Sequence, residues 1–202
     1  MTAFTDALDL RTAVVEHVGN ADIADVWPRL VLMAEAFLNR NLRTRDQVTR
    51  TTLTLASGSV ALPSDFLEVI GLYDGYGMEY LQQPLQQVKE NHPGGMYTPS
   101  EAYYAISGSN LVSMGADGDR DFEYYAKIPT LTTSLTASNW LLQKHPALYL
   151  YAVGLEAAKH VRDLELASVT RDLREAELTE AHIEDDRARY ARARVRIPGV
   201  VP

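Results

Sequence analysis

Apolar residues are frequent between Asn139 and Val161. On a helix they would occupy most of its circumference. Pro146 suits the first turn of a helix, and Gly154 is the one breaker between it and His160. A helix with so broad an apolar surface must be covered on several sides, by its own domain or by copies of itself. The segment predicts a central core helix, with packing between subunits as the alternative.

Two helices are predicted before residue 48. The first runs from about Asp9 to Val18, and Gly19 is a plausible stop. The second begins near Pro28 and ends around Arg45. Its apolar residues follow helical spacing: Leu30, Val31, Ala34, Phe37, Leu38 and Leu42. The charged residues Glu35, Arg40 and Arg43 are predicted on the more polar positions.

From Val48 the spacing of apolar residues changes to two, which is typical of strands. Two alternating runs on either side of Ser57 and Gly58 predict a β-hairpin. A short helix is predicted at Pro84 to Glu90. Further strands are predicted at Glu68 to Tyr73, Met78 to Leu81, Ala102 to Ile106, Leu111 to Met114 and Asp121 to Tyr125. Together these elements predict a small antiparallel β module.

Helix is predicted to resume at Ser138, a good N-cap, and to continue past Val161 into a charge-rich helix from Leu164 to Arg192. Apolar residues on this last helix have near-heptad spacing, interrupted by Glu180: Leu166, Val169, Leu173, Ala176 and Ile183. The stripe is narrow, so we expect it to pack on one neighbour.

The order of elements predicts an α+β fold, because the strands are clustered and do not alternate with helices. An antiparallel helical bundle is expected from residues 1–47 and 128–192. It is interrupted by a small antiparallel β module at residues 48–127 and followed by an extended C-terminal tail at residues 193–202.

Composition narrows the classes of function. The chain has 202 residues, is 46% hydrophobic and contains no cysteine, which excludes disulfides, thiolate metal sites and thiol nucleophiles. No apolar run is long enough to cross a bilayer and the first ten residues lack signal-peptide features, so synthesis in the cytosol is expected. A formal charge of −8 argues against general affinity for nucleic acid.

A search for catalytic and metal-binding patterns predicts no catalytic residue, cofactor site or metal site. Asp117, Asp119 and Asp121 imitate the start of a calcium loop, but Phe122 stands where a glycine is needed and Ile128 where a closing glutamate is needed. A solvated hairpin turn is the better interpretation. No two histidines have helix-turn ligand spacing, and no nucleophile-elbow or phosphate-loop motif occurs.

The carboxyl terminus is more distinctive. Acidic residues precede arginines along the last helix, an order that suits the helix dipole. Beyond it, Val195 and Ile197 alternate with arginines, and the chain ends with an apolar stretch from Pro198 to Pro202. An extended apolar peptide can add to the edge or cleft of a partner. A disordered chain end is the alternative.

Five blocks, in this order, resemble the head–tail connector or adaptor proteins of tailed bacteriophages, the group that includes the P22 tail accessory factor. They are LVLMAEAFLNRNLR (Leu30 to Arg43), LPSDFLEV (Leu62 to Val69), YAISGSNLV (Tyr104 to Val112), FEYYAKIPTLT (Phe122 to Thr132) and NWLLQKHPALYLYAVGLEAA (Asn139 to Ala158). The blocks span most of the chain, and they are specific in combination.

The resemblance implies a non-enzymatic virion protein, made in the host cytoplasm, that forms a dodecameric ring under the portal and continues the DNA channel to the tail. Its partners would be its own copies, the portal protein, a downstream tail protein, and double-stranded DNA passing without specific binding; no membrane is implied. The portal-docking arm would comprise Arg189, Arg192, Arg194, Val195, Arg196, Ile197, Pro198, Val200 and Val201. Subunit packing would involve Trp140, Tyr149, Tyr151 and Leu155. The alternative is a prophage-encoded cytosolic interaction or regulatory module that binds a partner through the same tail.

Overall fold

The computed structural model describes residues 4–91, 102–113 and 117–191. The helices are α1 (Ala7–Val18), α2 (Trp27–Asn41), α3 (Leu85–Asn91), α4 (Trp140–Lys144), α5 (Pro146–Val161) and α6 (Leu164–Tyr190). The strands are β1 (Val48–Leu55), β2 (Ser59–Ala61), β3 (Phe66–Tyr73), β4 (Leu81–Gln82), β5 (Tyr103–Ser107), β6 (Asn110–Ser113) and β7 (Gly118–Ala126). These elements confirm the predicted α+β class.

The chain forms two compact units. A helical unit contains the residues up to Asp46 and those from Ile128 onward, and a β unit contains Gln47–Lys127. Within the three described ranges, no helix is both long enough and apolar enough to span a bilayer.

Helix α5 is the centre of the helical unit, as its apolar girth predicts. Helices α1, α2, α4 and α6 all pack against it. Most of its residues are buried, including Leu148, Tyr149, Val153 and Ala157 at 1% exposure or less. The core-helix prediction for this segment is therefore confirmed.

Helix α1 has well-defined ends. The Asp6 side chain accepts hydrogen bonds from the backbone N–H groups of Leu8 and Asp9, each at 3.0 Å. Gly19 ends the helix in the left-handed conformation, with φ of 69°, and its N–H donates to the carbonyl of Val15. The predicted stop at Gly19 is confirmed.

The predicted continuous helix from Ser138 is wrong, because the chain breaks twice. Helix α4 is capped by Asn139, and the chain leaves helical geometry at His145 because Pro146 disfavours helix in the preceding residue. The second break is at Arg162, which is left-handed with φ of 65°. Asp163 then starts α6 by accepting from the N–H of Leu166 at 2.9 Å.

Helix α2 is shorter than predicted and buries a charged residue. It ends at Asn41, and Leu42 is already extended. Glu35, predicted on a polar position, is only 4% exposed. It is buried because it lies one turn after Val31 and three residues before Leu38, on the face that packs into the core.

The apolar stripe predicted on α6 packs within the subunit only at its start, where Leu166 contacts the cluster of Leu155, Ala158 and Ala167. Val169, Leu173 and Ile183 are 54%, 38% and 44% exposed. The face turned toward the core consists largely of small and polar residues: Ala167, Thr170, Arg174, Leu178, Ala181 and Asp185. The Arg174 guanidinium stacks over the ring of Phe37 at 3.6 Å, so a cation–π contact replaces an apolar contact there.

The β unit contains two sheets. Three antiparallel strands are ordered β1-β7-β3, and four strands are ordered β2-β6-β5-β4. The module is antiparallel as predicted except at one edge, where β4 pairs with β5 in parallel. The apolar core of the unit includes Leu55, Leu72, Leu111 and Phe122.

The predicted hairpin at Ser57 and Gly58 is also wrong as a strand pair. β1 pairs with β7 and β2 pairs with β6, and one isolated bridge joins Ala56 to Ser59. The turn itself is present, with φ of 54° at Ser57 and 74° at Gly58. A Cβ on Gly58 would lie 2.9 Å from the Ser113 carbonyl oxygen, so the glycine also allows close approach of β6.

Candidate functional site

A buried polar cluster joins α2 to α5 in the helical unit. Glu35 Oε1 accepts a hydrogen bond from the Tyr149 hydroxyl at 2.6 Å and another from the Leu131 N–H at 2.9 Å. Burial and the Glu35 charge raise the pKa of Tyr149 far above its usual range. Buried polar groups require such partners, so the cluster fixes one alignment of these elements.

Asn139 extends the cluster to the segment before α4. Its amide nitrogen donates to the Pro129 carbonyl at 2.6 Å and lies 3.5 Å from the Tyr149 hydroxyl. Its Oδ1 accepts from the N–H of Leu142 at 2.9 Å. A single side chain thereby caps α4 and anchors the preceding loop. Sequence reasoning missed Glu35 as part of this cluster, although its helical spacing from Val31 indicated burial.

The four residues predicted for subunit packing differ in how deeply they are buried. Tyr149 and Leu155 lie inside their own subunit, with 0% and 2% exposure. Trp140 and Tyr151 are half-buried. Packing of these residues between subunits stays a prediction, and the two half-buried side chains have surface to offer to another copy.

Gly154 lets α1 and α6 meet across α5. His17 Nε2 on α1 lies 2.9 Å from Thr170 Oγ1 on α6, within hydrogen-bond distance. A Cβ at Gly154 would lie 3.2 Å from His17 Cδ2, closer than most side chains tolerate. Burial lowers the pKa of His17. The contact therefore favours a neutral ring in a tight helix crossing.

The carboxyl end of α6 is held by a buried acid. Asp185 accepts from the backbone N–H of Arg45 at 2.9 Å and from Arg189 Nε at 2.5 Å. Arg189, predicted both within the last helix and as part of the portal-docking arm, lies in the last turn of α6, where a cation suits the helix dipole. Its role in docking stays a prediction. The other predicted arm residues, from Arg192 to Val201, lie outside the described residues.

A small cleft adjoins this helix end. It has a volume of about 180 Å³ and is lined by Thr44, Arg45, Asp46, Lys144, His145, Ala181, Glu184 and Asp185. Lys144 and Asp46 form an ion pair at its edge. The lining carries both signs of charge, so the cleft suits a polar segment of another protein better than an apolar ligand.

The aspartates before Phe122 do not form a metal-binding cluster among the described residues. Asp119 Oδ1 accepts from the Thr54 hydroxyl at 2.7 Å, and Asp117 Oδ1 accepts from the Gly58 N–H at 3.3 Å. In the part of the chain that the structure describes, no three His, Cys, Asp or Glu side chains are grouped as metal ligands. The two aspartates thus have structural partners in the neighbouring strand and turn.

The helical unit therefore offers protein-binding features: exposed apolar helix faces, a charged cleft and a basic helix end. Such features suit a protein that acts through contacts with other proteins. Residues 5–198 match the family model of the SU10 adaptor protein, so the chain belongs to this family. No curated protein matches the sequence.

Membership confirms the resemblance to phage head–tail adaptors at the level of the family. The family is a structural phage adaptor of the head–tail junction of the virion, which implies contact with portal and tail proteins. The narrower likeness to the P22 tail accessory factor stays a prediction.

Proposed function

We propose that the protein forms a dodecameric ring beneath the portal, joins the capsid to the tail and continues the DNA channel. The family match over residues 5–198 is the observation that carries this proposal. The rigid helical unit supplies a wall element, because its polar cluster and its closely packed helices fix one arrangement. The negative formal charge of −8 suits a channel that DNA must pass without being held.

We further propose that the segment after α6 docks on the portal. The family match continues through residue 198, so most of this segment belongs to the pattern shared by the family. The segment combines arginines with Val195 and Ile197, which suits an extended peptide that adds to a partner's cleft or sheet edge. In this scheme subunits stay separate until the portal templates the ring.

Binding to the portal protein of the same phage tests this proposal. The full chain is compared with a chain that ends at Ala193 and with a length-matched variant carrying Val195→Ser and Ile197→Ser. We expect both variants to stay folded, because described residues between Ala7 and Ala181 already form a closely packed core. Both should lose portal binding in a pull-down assay.

Negative-stain images and mass measurement complete the test. Rings stacked on the portal by the full chain, and their loss in both variants, support the proposal. Retained binding by the shortened chain would contradict the docking role. A small persistent complex with a host protein, without rings on the portal, would favour the regulatory module instead.

A further inference from the structure

The outer face of α6 carries a row of exposed apolar residues, called the α6 seam. Its exposed apolar residues are Val169, Leu173, Ala176 and Ile183. Val169, Ala176 and Ile183 are seven residues apart, and Leu173 lies between the first two on the same side of the helix. Heptad spacing of this kind is the pattern that packs against another helix. The seam faces away from α5, because the core-facing side of α6 is formed by a different set that includes Thr170, Arg174 and Leu178.

A second outward apolar face lies on α2. Leu32 and Met33 are 53% and 50% exposed, although the opposite side of the same helix packs into the core. Arg29 and Arg40 flank the two apolar side chains along the helix. Neither arginine is paired with a carboxylate among the residues that the structure describes. The face is therefore apolar in the middle and basic at both ends.

The charges of the two faces are complementary. The α6 seam is bordered or interrupted by Glu165, Asp172 and Glu180. Asp172 is 80% exposed, and its exposed neighbour Arg171 on the same helix lies 3.9 Å away, so this pair is weak. Two α6 seams packed together would bring acidic residues against acidic residues, which is unfavourable. An α6 seam against an α2 face instead brings these acids toward Arg29 and Arg40.

The dimensions of the two faces also agree. At 1.5 Å per residue, the stretch from Arg29 to Arg40 is about 17 Å long and the stretch from Val169 to Ile183 about 21 Å long. Both helices bury their inner faces on α5, so each subunit presents two different outward surfaces. A ring requires two different complementary surfaces on every subunit, since head-to-tail contacts must repeat around the axis.

We propose that the outer face of α6 packs against the outer face of α2 on the next copy of this chain. The inference rests on the proposed ring and identifies its subunit contact. The occupant is a second copy because the same chain supplies both an acidic apolar seam and a basic apolar face of similar length.

Cross-linking between single-cysteine variants tests the contact directly, because the native chain has no cysteine. Chains carrying Leu173→Cys are mixed with chains carrying Met33→Cys, assembled with the portal protein, and treated with a short bis-maleimide. We expect covalent dimers in the mixture and none with either variant alone. Dimers from Leu173→Cys alone would show α6 packed on itself and overturn the proposal.

Charge insertion gives a second measurement. Leu173→Glu or Leu32→Glu should raise the protein concentration needed for half-maximal ring assembly by about tenfold or more, since each removes apolar burial. The matched control is Leu81→Glu, the same change at a leucine of the β unit that is 57% exposed. Circular dichroism should show unchanged helix content, because all three leucines are exposed.

The outcomes separate this contact from the function on which it rests. Rings on the portal with no cross-link between positions 173 and 33 overturn the α6–α2 contact and leave the ring proposal standing. No rings on the portal with the native chain overturn both. Unchanged assembly of both Leu173→Glu and Leu32→Glu would also overturn the contact.

Discussion

The hydrogen bond from Tyr149 to Glu35 gives a sharp prediction about stability. Replacing Tyr149 with phenylalanine removes one hydroxyl and leaves the ring, so the apolar packing of α5 is preserved. The Glu35 carboxyl then keeps the 2.9 Å hydrogen bond from the Leu131 N–H and loses the 2.6 Å hydrogen bond from the Tyr149 hydroxyl. A hydrogen bond to a charged group contributes about 1.5–3 kcal/mol, so unfolding should become easier by that amount.

The measurement is thermal unfolding followed by far-ultraviolet circular dichroism. For a chain of this length each kcal/mol shifts the midpoint by about 2–4 °C. The matched control is Tyr151→Phe, two residues further along α5. The Tyr151 hydroxyl has no hydrogen-bond partner among residues 4–91, 102–113 and 117–191. Its loss should therefore change the free energy of unfolding by less than about 0.5 kcal/mol. Equal effects of the two substitutions would refute the claim that the buried cluster stabilises the helical unit.

Two further predictions concern other contacts. Burial and the hydrogen bond to Asp65 raise the pKa of Tyr124 from 10.0 to about 12, so its contribution to stability is full below pH 10 and is lost as the pH rises toward 12. The free energy of unfolding is measured in urea at increasing pH. Its decrease between pH 10 and about 12 should be smaller in Tyr124→Phe than in the native chain. The same decrease should be unchanged in Tyr76→Phe, because the Tyr76 ring is 99% exposed. Gly154→Val should destabilise the helical unit by about 1–3 kcal/mol, because even a Cβ there lies 3.2 Å from His17; an unchanged unfolding midpoint would contradict the close crossing.

The sequence predicted those elements whose signals are local. Gly19 marked the end of α1 because few other residues adopt its left-handed conformation readily. The apolar girth of α5 predicted burial because any residue on it would face another element. Strand partners were not predictable in the same way: alternation at Leu53 and Leu55 predicts a strand but not that its neighbour is β7.

The helix faces show the same limit on local signals. The near-heptad residues of α6 predicted packing, but the sequence did not say whether the neighbour belongs to the same subunit. Within the subunit α6 packs through Thr170, Arg174 and Asp185, whose burial depends on partners distant in sequence. The hydrogen bonds of Glu35 were not predictable for a related reason, since their donors, Tyr149 and Leu131, lie about a hundred residues later in the chain.

The two ends of the β unit lie side by side. Its first strand, β1, pairs with its last, β7, so that Val48 lies opposite Tyr125 and the Gln47 amide nitrogen is 3.4 Å from the Ala126 carbonyl oxygen. Paired residues in an antiparallel sheet are about 5 Å apart, so the two connections could be closed by a short turn. Evolution can thus enlarge, shorten or exchange this unit as a single piece of chain. Related adaptors can therefore share one helical unit while the inserted β unit diverges.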